Sequence, residues 1–64
     1  MEPYQERVEE ERAQLFGRIE KLSSFLLTPL FGKLAPEEQD RLLQQQTAMQ
    51  KYLDILDARI GAFT

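Results

Sequence analysis

Apolar residues recur along this chain at alternating intervals of four and three. Val8, Leu15, Ile19, Leu22 and Leu26 keep the rhythm, with Arg12 in the one polar place. After an interruption Leu42, Met49, Leu53, Leu56, Ile60 and Phe63 resume it, with Gln46 as the polar member. Such heptad spacing puts one apolar seam on each of two helices, and the short interval between them folds the second back on the first. The pattern predicts an all-α fold, an antiparallel, coiled-coil-like two-helix hairpin. Pairing Leu26 with Leu42, Leu22 with Gln46, Ile19 with Met49, Leu15 with Leu53, Arg12 with Leu56 and Val8 with Ile60, with Phe63 beyond the last pair, places eleven apolar side chains in a single thin seam.

Prolines set the boundaries. Pro3 suits the first turn of a helix, where its fixed φ fits and its missing N–H would have had no partner. Thr28-Pro29 ends that helix, because the residue before proline is pushed out of the α region. Pro36 followed by Glu37 and Glu38 restarts the chain, although Ala35 brings no side-chain oxygen as an N-cap. The expectation is one domain over 1–64, with a helix over about 3–27, a connector over 28–35 and a helix over about 36–62. Leu30, Phe31 and Leu34 should cover the closed end. Gly17 lies inside the first helix at a cost of about 1 kcal/mol relative to Ala, and marks either a close approach by another helix or a tolerated surface glycine.

Composition narrows the function classes. With 64 residues, no Cys and no His, the chain has neither disulfides nor the usual zinc ligands to reinforce a small core, which leaves oligomerisation. Eight Lys and Arg against eleven Asp and Glu give a formal charge of −3, which opposes general DNA, RNA or anionic-lipid binding. No apolar run reaches the roughly 20 residues of a membrane span and no leader pattern is visible, so the chain reads as soluble and unprocessed. Glu2, Glu6, Glu9, Glu10 and Glu11 load the positive end of the first helix with acid, favourable by about 0.3–1 kcal/mol near the first turn.

A second stripe runs beside the seam. Ala48, Tyr52, Ile55, Arg59 and Ala62 form it on the second helix, and Ala13, Phe16, Ser23 and Leu27 are its counterparts on the first. Two apolar faces on one thin hairpin call for burial against another copy, with Phe16, Leu27, Ala48, Tyr52 and Ile55 as interface candidates in a homo-oligomeric helical bundle. The other reading is that Phe16, Tyr52 and Ile55 widen the contact within one hairpin. Arg12 and Gln46 either fix register at a cost in stability or, for Arg12, hold a guanidinium ready for an anion.

Tyr4, Arg7, Arg12, Arg59 and Phe63 should gather at the open end. Guanidinium groups beside aromatic faces can bind phosphate and stack bases; equally, Tyr4 and Phe63 can cap the bundle while the arginines pair with local acids. Tyr4, Arg7, Arg12, Tyr52 and Arg59 are the ligand-binding candidates. Catalysis has no support: there is no His base, Ser23 and Ser24 have no partner base, no glycine-rich phosphate loop exists, and the carboxylates lack the Glu-x-x-His elements of di-metal bundles. The chain is read as non-enzymatic, without cofactor or metal.

Tyr4-x-x-Arg7, Glu11, Leu15, Lys21-Leu22-x-x-Phe25-Leu26 and Leu42-Leu43-x-x-Gln46-x-x-Met49-x-x-Tyr52-x-x-Ile55-Leu56-x-x-Arg59 resemble the small helical-hairpin proteins of tailed bacteriophages, typified by an uncharacterised protein of a crAss-like gut phage. The resemblance covers nearly the whole chain. It implies a phage accessory protein in the host bacterial cytoplasm, countering host defence by oligomerising and sequestering a nucleotide-type immune signal, such as a cyclic oligonucleotide, between subunits. The alternatives are an inhibitor or adaptor that captures a host defence protein through the acidic face of the first helix, and a purely structural oligomer.

Overall fold

The computed structural model describes residues 1–64 and contains three helices: α1 over Pro3–Leu26, α2 over Pro29–Lys33 and α3 over Pro36–Gly61. Each begins on a proline in its first turn. Gln5 secures the start of α1, accepting from the Glu2 backbone N–H at 2.9 Å through Oε1, and is itself buried. Thr28 closes the other end by donating its hydroxyl to the Phe25 carbonyl at 2.7 Å. Ala35 caps α3 with no side-chain bond. Gln39 instead ties the corner together, its amide nitrogen donating to the Leu34 and Gly32 carbonyls at 2.8 and 3.2 Å, which satisfies acceptors left over where α2 stops.

Antiparallel packing of α1 on α3 makes a rod of 47 × 15 × 13 Å. The register is read from three contacts between the long helices: Tyr4 with Phe63, Arg12 with Asp57 and Ser23 with Gln46. These agree to within a residue with the alignment drawn from the heptads. The core is Val8, Leu15, Ile19, Leu53 and Leu56, with Met49, Ile60 and Phe63 packed against it. Of the eleven apolar side chains expected in the seam, only those five are buried, while Leu22, Leu26 and Leu42 stay half-exposed because the seam has no third element to close over it.

Two further expectations change. Leu30 does not cover the closed end but is 62 % exposed; Phe31 and Leu34 do the covering, with Phe31 edge-on to Phe25 at a centroid distance of 6.4 Å. Helix α1 runs unbroken through Gly17, and a Cβ built there meets nothing within 4 Å, so no helix of the same chain approaches it.

The rod exposes more than a compact protein would. Its accessible surface is 4886 Å², against roughly 4,200 Å² for a globular monomer of this mass. Its radius of gyration is 14.8 Å, against roughly 11 Å for a compact chain of this length.

Two substitutions test this core. Leu56→Ala, at the most buried position, should lower unfolding free energy by about 2–5 kcal/mol. Gly17→Ala should raise it by about 1 kcal/mol, since only backbone freedom is at stake. Urea titration measures both, and a destabilised Gly17→Ala would show that something packs on that spot.

Candidate functional site

A two-helix rod has two flanking grooves, and here they differ in chemistry. Arg12 Nε donates to Asp57 Oδ1 at 2.8 Å, and Gln46 Nε2 donates to Ser23 Oγ at 2.9 Å, both across the same groove. We call this the bridged flank. Successive residues of an α-helix turn by roughly 100°. On that basis Phe16, Ser23 and Leu27 share the Arg12 side of α1, while Arg7 lies roughly 140° away from Arg12. On α3, Ala48, Tyr52, Ile55 and Arg59 lie roughly 140–180° around from Asp57. They therefore belong with Arg7 on the opposite, open flank.

This division corrects the expectation of one continuous second stripe. Phe16 and Leu27 were matched with Ala48, Tyr52 and Ile55, yet the two sets face opposite ways. The physical reason is handedness: in an antiparallel pair of right-handed helices, positions displaced in the same rotational sense from each seam emerge on the same side. Phe16 and Leu27 are displaced one way from the α1 seam, whereas Tyr52 and Ile55 are displaced the other way from the α3 seam.

The ligand-binding candidates divide likewise. Arg12 is engaged on the bridged flank, its guanidinium carbon 5.1 Å from the centroid of the Phe16 ring as well as hydrogen-bonded to Asp57. The hydrogen bond to Asp57 raises the Arg12 pKa above its already high ordinary value; partial desolvation opposes this, and the carboxylate charge adds to it. A raised pKa keeps the guanidinium charged across the physiological range, so the cationic half of the pair is lost only in strong alkali. Arg12 and Gln46 thus take the register-setting role.

Tyr4 packs edge-on against Phe63, centroids 5.8 Å apart, which closes the open end of the hairpin. Its ring remains half-exposed. Arg7, Tyr52 and Arg59, together on the open flank, make no side-chain hydrogen bond or ion pair, in contrast to Arg12. Tyr52 and Ile55 are 43 % and 52 % exposed there, so the flank presents aromatic, aliphatic and cationic groups without any intramolecular partner.

The bridged flank holds a groove that the heptads did not single out. A cavity of about 480 Å³ is lined by Ile19, Ser23, Gln46, Thr47, Gln50, Lys51 and Asp54. Gln50 donates to Asp54 at 3.0 Å, one turn on from the Ser23–Gln46 bridge. The signal available for it was the four-residue spacing of Gln46, Gln50 and Asp54, amide and acid groups repeating along one edge. It offers hydrogen bonds to an uncharged polar group, but no nucleophile with an adjacent base.

A family model, Sequestin, matches residues 2–62. The chain is 42% identical over 60 residues to an uncharacterised 7.5 kDa protein from the denB-rIIB intergenic region of Enterobacteria phage T4, an alignment covering 94% of each chain. This agrees with the expected kinship to small phage proteins. No solved structure matches.

Coupling between Arg12 and Asp57 is directly measurable. A double-mutant cycle with Arg12→Ala and Asp57→Ala should give a favourable interaction at low salt that shrinks in molar salt, because the pair is solvent-accessible. The same cycle on Arg59 and Asp57, which lie on opposite flanks, should give no coupling.

Proposed function

The chain belongs to the Sequestin family, and from that premise we propose that it is a non-enzymatic phage protein that self-associates and sequesters a nucleotide-type immune signal of the host, such as a cyclic oligonucleotide, in the bacterial cytoplasm. The family name speaks of sequestration, and a phage gains from withholding a diffusible signal. The observation that carries the reading is the open flank: Arg7 and Arg59 stand unpaired beside an exposed tyrosine and an exposed isoleucine. Guanidinium groups free of carboxylates suit phosphate, and the exposed Tyr4 ring, one turn from Arg7, suits a base. Burial of Ile55 and Tyr52 against another copy would exclude water from the same region and strengthen those contacts.

Binding is read by thermal shift. Cyclic dinucleotides, cyclic trinucleotides and ADP-ribose derivatives form the panel. A ligand at a hundred times its dissociation constant should stabilise the fold by about 2.7 kcal/mol, of the order of 10–20 °C for a domain this small. Arg7→Ala and Arg59→Ala should remove most of that shift. Arg12→Ala should retain it once its own lower melting temperature is subtracted. Charge reversal at Glu6 and Glu10, on the acidic side of α1, should leave it intact. If no compound shifts the melting temperature while that charge reversal abolishes capture of a host protein, the adaptor reading replaces this one.

A further inference from the structure

The open flank of α3 carries more order than its apolar residues alone display. Gln45, Ala48, Tyr52, Ile55, Arg59 and Ala62 follow intervals of three, four, three, four and three, the spacing of a helix face that meets another helix along its length. Reversing the stripe about Tyr52 lays Ala48 opposite Ile55 and Gln45 opposite Arg59. A small or neutral group thus faces a long one at each level, and Arg59, the one charged member of the stripe, faces an amide.

We infer that a second copy of this chain covers this face, α3 against α3 in antiparallel sense about a two-fold axis at Tyr52, and that the pairing brings the partner's Gln45 and Arg41 beside Arg7 and Arg59 to complete an anion site that one chain does not build alone. The pairing stands on the stripe; the anion site deepens the sequestration reading and rests on it.

Four observations support the pairing. The opposite edge of α3 is polar and already occupied, Gln46 and Gln50 donating and Asp57 accepting there, so the open flank is the edge left to cover. Ala48 and Ala62 permit close approach of backbones where Ile55 needs room. An isologous contact uses the same patch twice, as a self-complementary stripe requires. The surface in excess of a compact monomer, about 600 Å², is of the size one partner contributes to a standard interface, roughly 800 Å².

The site follows from the register. The α1–α3 alignment sets Arg7 level with Gly61, within a turn of Arg59, and reversal of the stripe carries the partner's Gln45 and Arg41 to that level. Arg41 uses Nε to bind Glu38 at 2.8 Å, which leaves its terminal guanidinium nitrogens free. Three guanidinium groups then converge with an amide donor, with Glu11 a turn from Arg7 on the same flank. Such a cluster is satisfied by a phosphate chain, and two-fold symmetry makes two equivalent sites per dimer.

Single cysteines test the pairing cleanly because the chain has none of its own. With a short bifunctional thiol reagent, Tyr52→Cys should couple to itself, and Gln45→Cys mixed with Arg59→Cys should give a mixed product. Phe16→Cys, on the bridged flank, should stay uncoupled. Ala48→Cys mixed with Ile55→Cys serves as a second pair should circular dichroism show that Tyr52→Cys loses helix. Coupling at Phe16→Cys with none at either α3 pair, or a monomeric mass for the unmodified chain, overturns the inference.

Tripolyphosphate then probes the anion site without a base. It should raise the melting temperature, and Arg41→Ala and Arg59→Ala should each abolish the rise. An equimolar mixture of those two variants should recover about a quarter of the binding capacity, because half the dimers are mixed and each has one intact site. Cross-links without any response to tripolyphosphate overturn the shared site. A response to tripolyphosphate, with none to nucleotides beyond it, leaves the site standing and sinks only the nucleotide reading.

Discussion

Two helices touching along one line can hide only one side of each, and that limit governs everything else in this molecule. Val8, Leu15, Ile19, Leu53 and Leu56 are the whole buried core. Nothing caps the seam from above or below, so each apolar residue displaced from it by a third of a turn remains wet. The exposure of Ile55, Phe16, Leu43 and Tyr52 is therefore a geometric result of the architecture. Its use differs between the two sides.

On one side the chain fills the groove with polar pairs. Arg12–Asp57 and Ser23–Gln46 join positions far apart in sequence, and a slip by one turn would separate both at once. They hold the helices in register where a uniform apolar seam would tolerate sliding. On the other side the cations have no carboxylate partners, which leaves a surface whose charge and aromatic area are free for something outside the chain. The molecule thus has one side bonded to itself across the groove and one whose cations and rings its own chain leaves unbonded.

Much of this architecture was legible in the order of residues. Pro3, Pro29 and Pro36 mark the helix starts through backbone sterics alone, and Leu15 opposite Leu53 follows from heptad counting. Which side a flanking residue faces was harder, because it depends on helix handedness and antiparallel sense together. Phe16 and Tyr52 look alike in sequence as apolar neighbours of a seam, yet they emerge on opposite sides. Gln39 was equally silent, since its amide acts on carbonyls that exist only once α2 has formed. Leu30 reads as a core residue by type, but a five-residue helix has too little face to bury Leu30, Phe31 and Leu34 together. For the candidate site, the residue types and an ion pair of Arg12 with Asp57 were legible, and the division between flanks was not: Arg12 lies on the bridged side, whereas Arg7 and Arg59 lie on the other.

The edge-on contact of Tyr4 with Phe63 has a practical corollary at the bench. Both termini emerge together, side by side, at the end of the rod where Arg7 and Arg59 lie. An affinity handle or fluorophore joined to either terminus would crowd that region. Lys33, at the tip of α2 and exposed, is remote from it along the 47 Å axis and offers the attachment point that leaves it undisturbed.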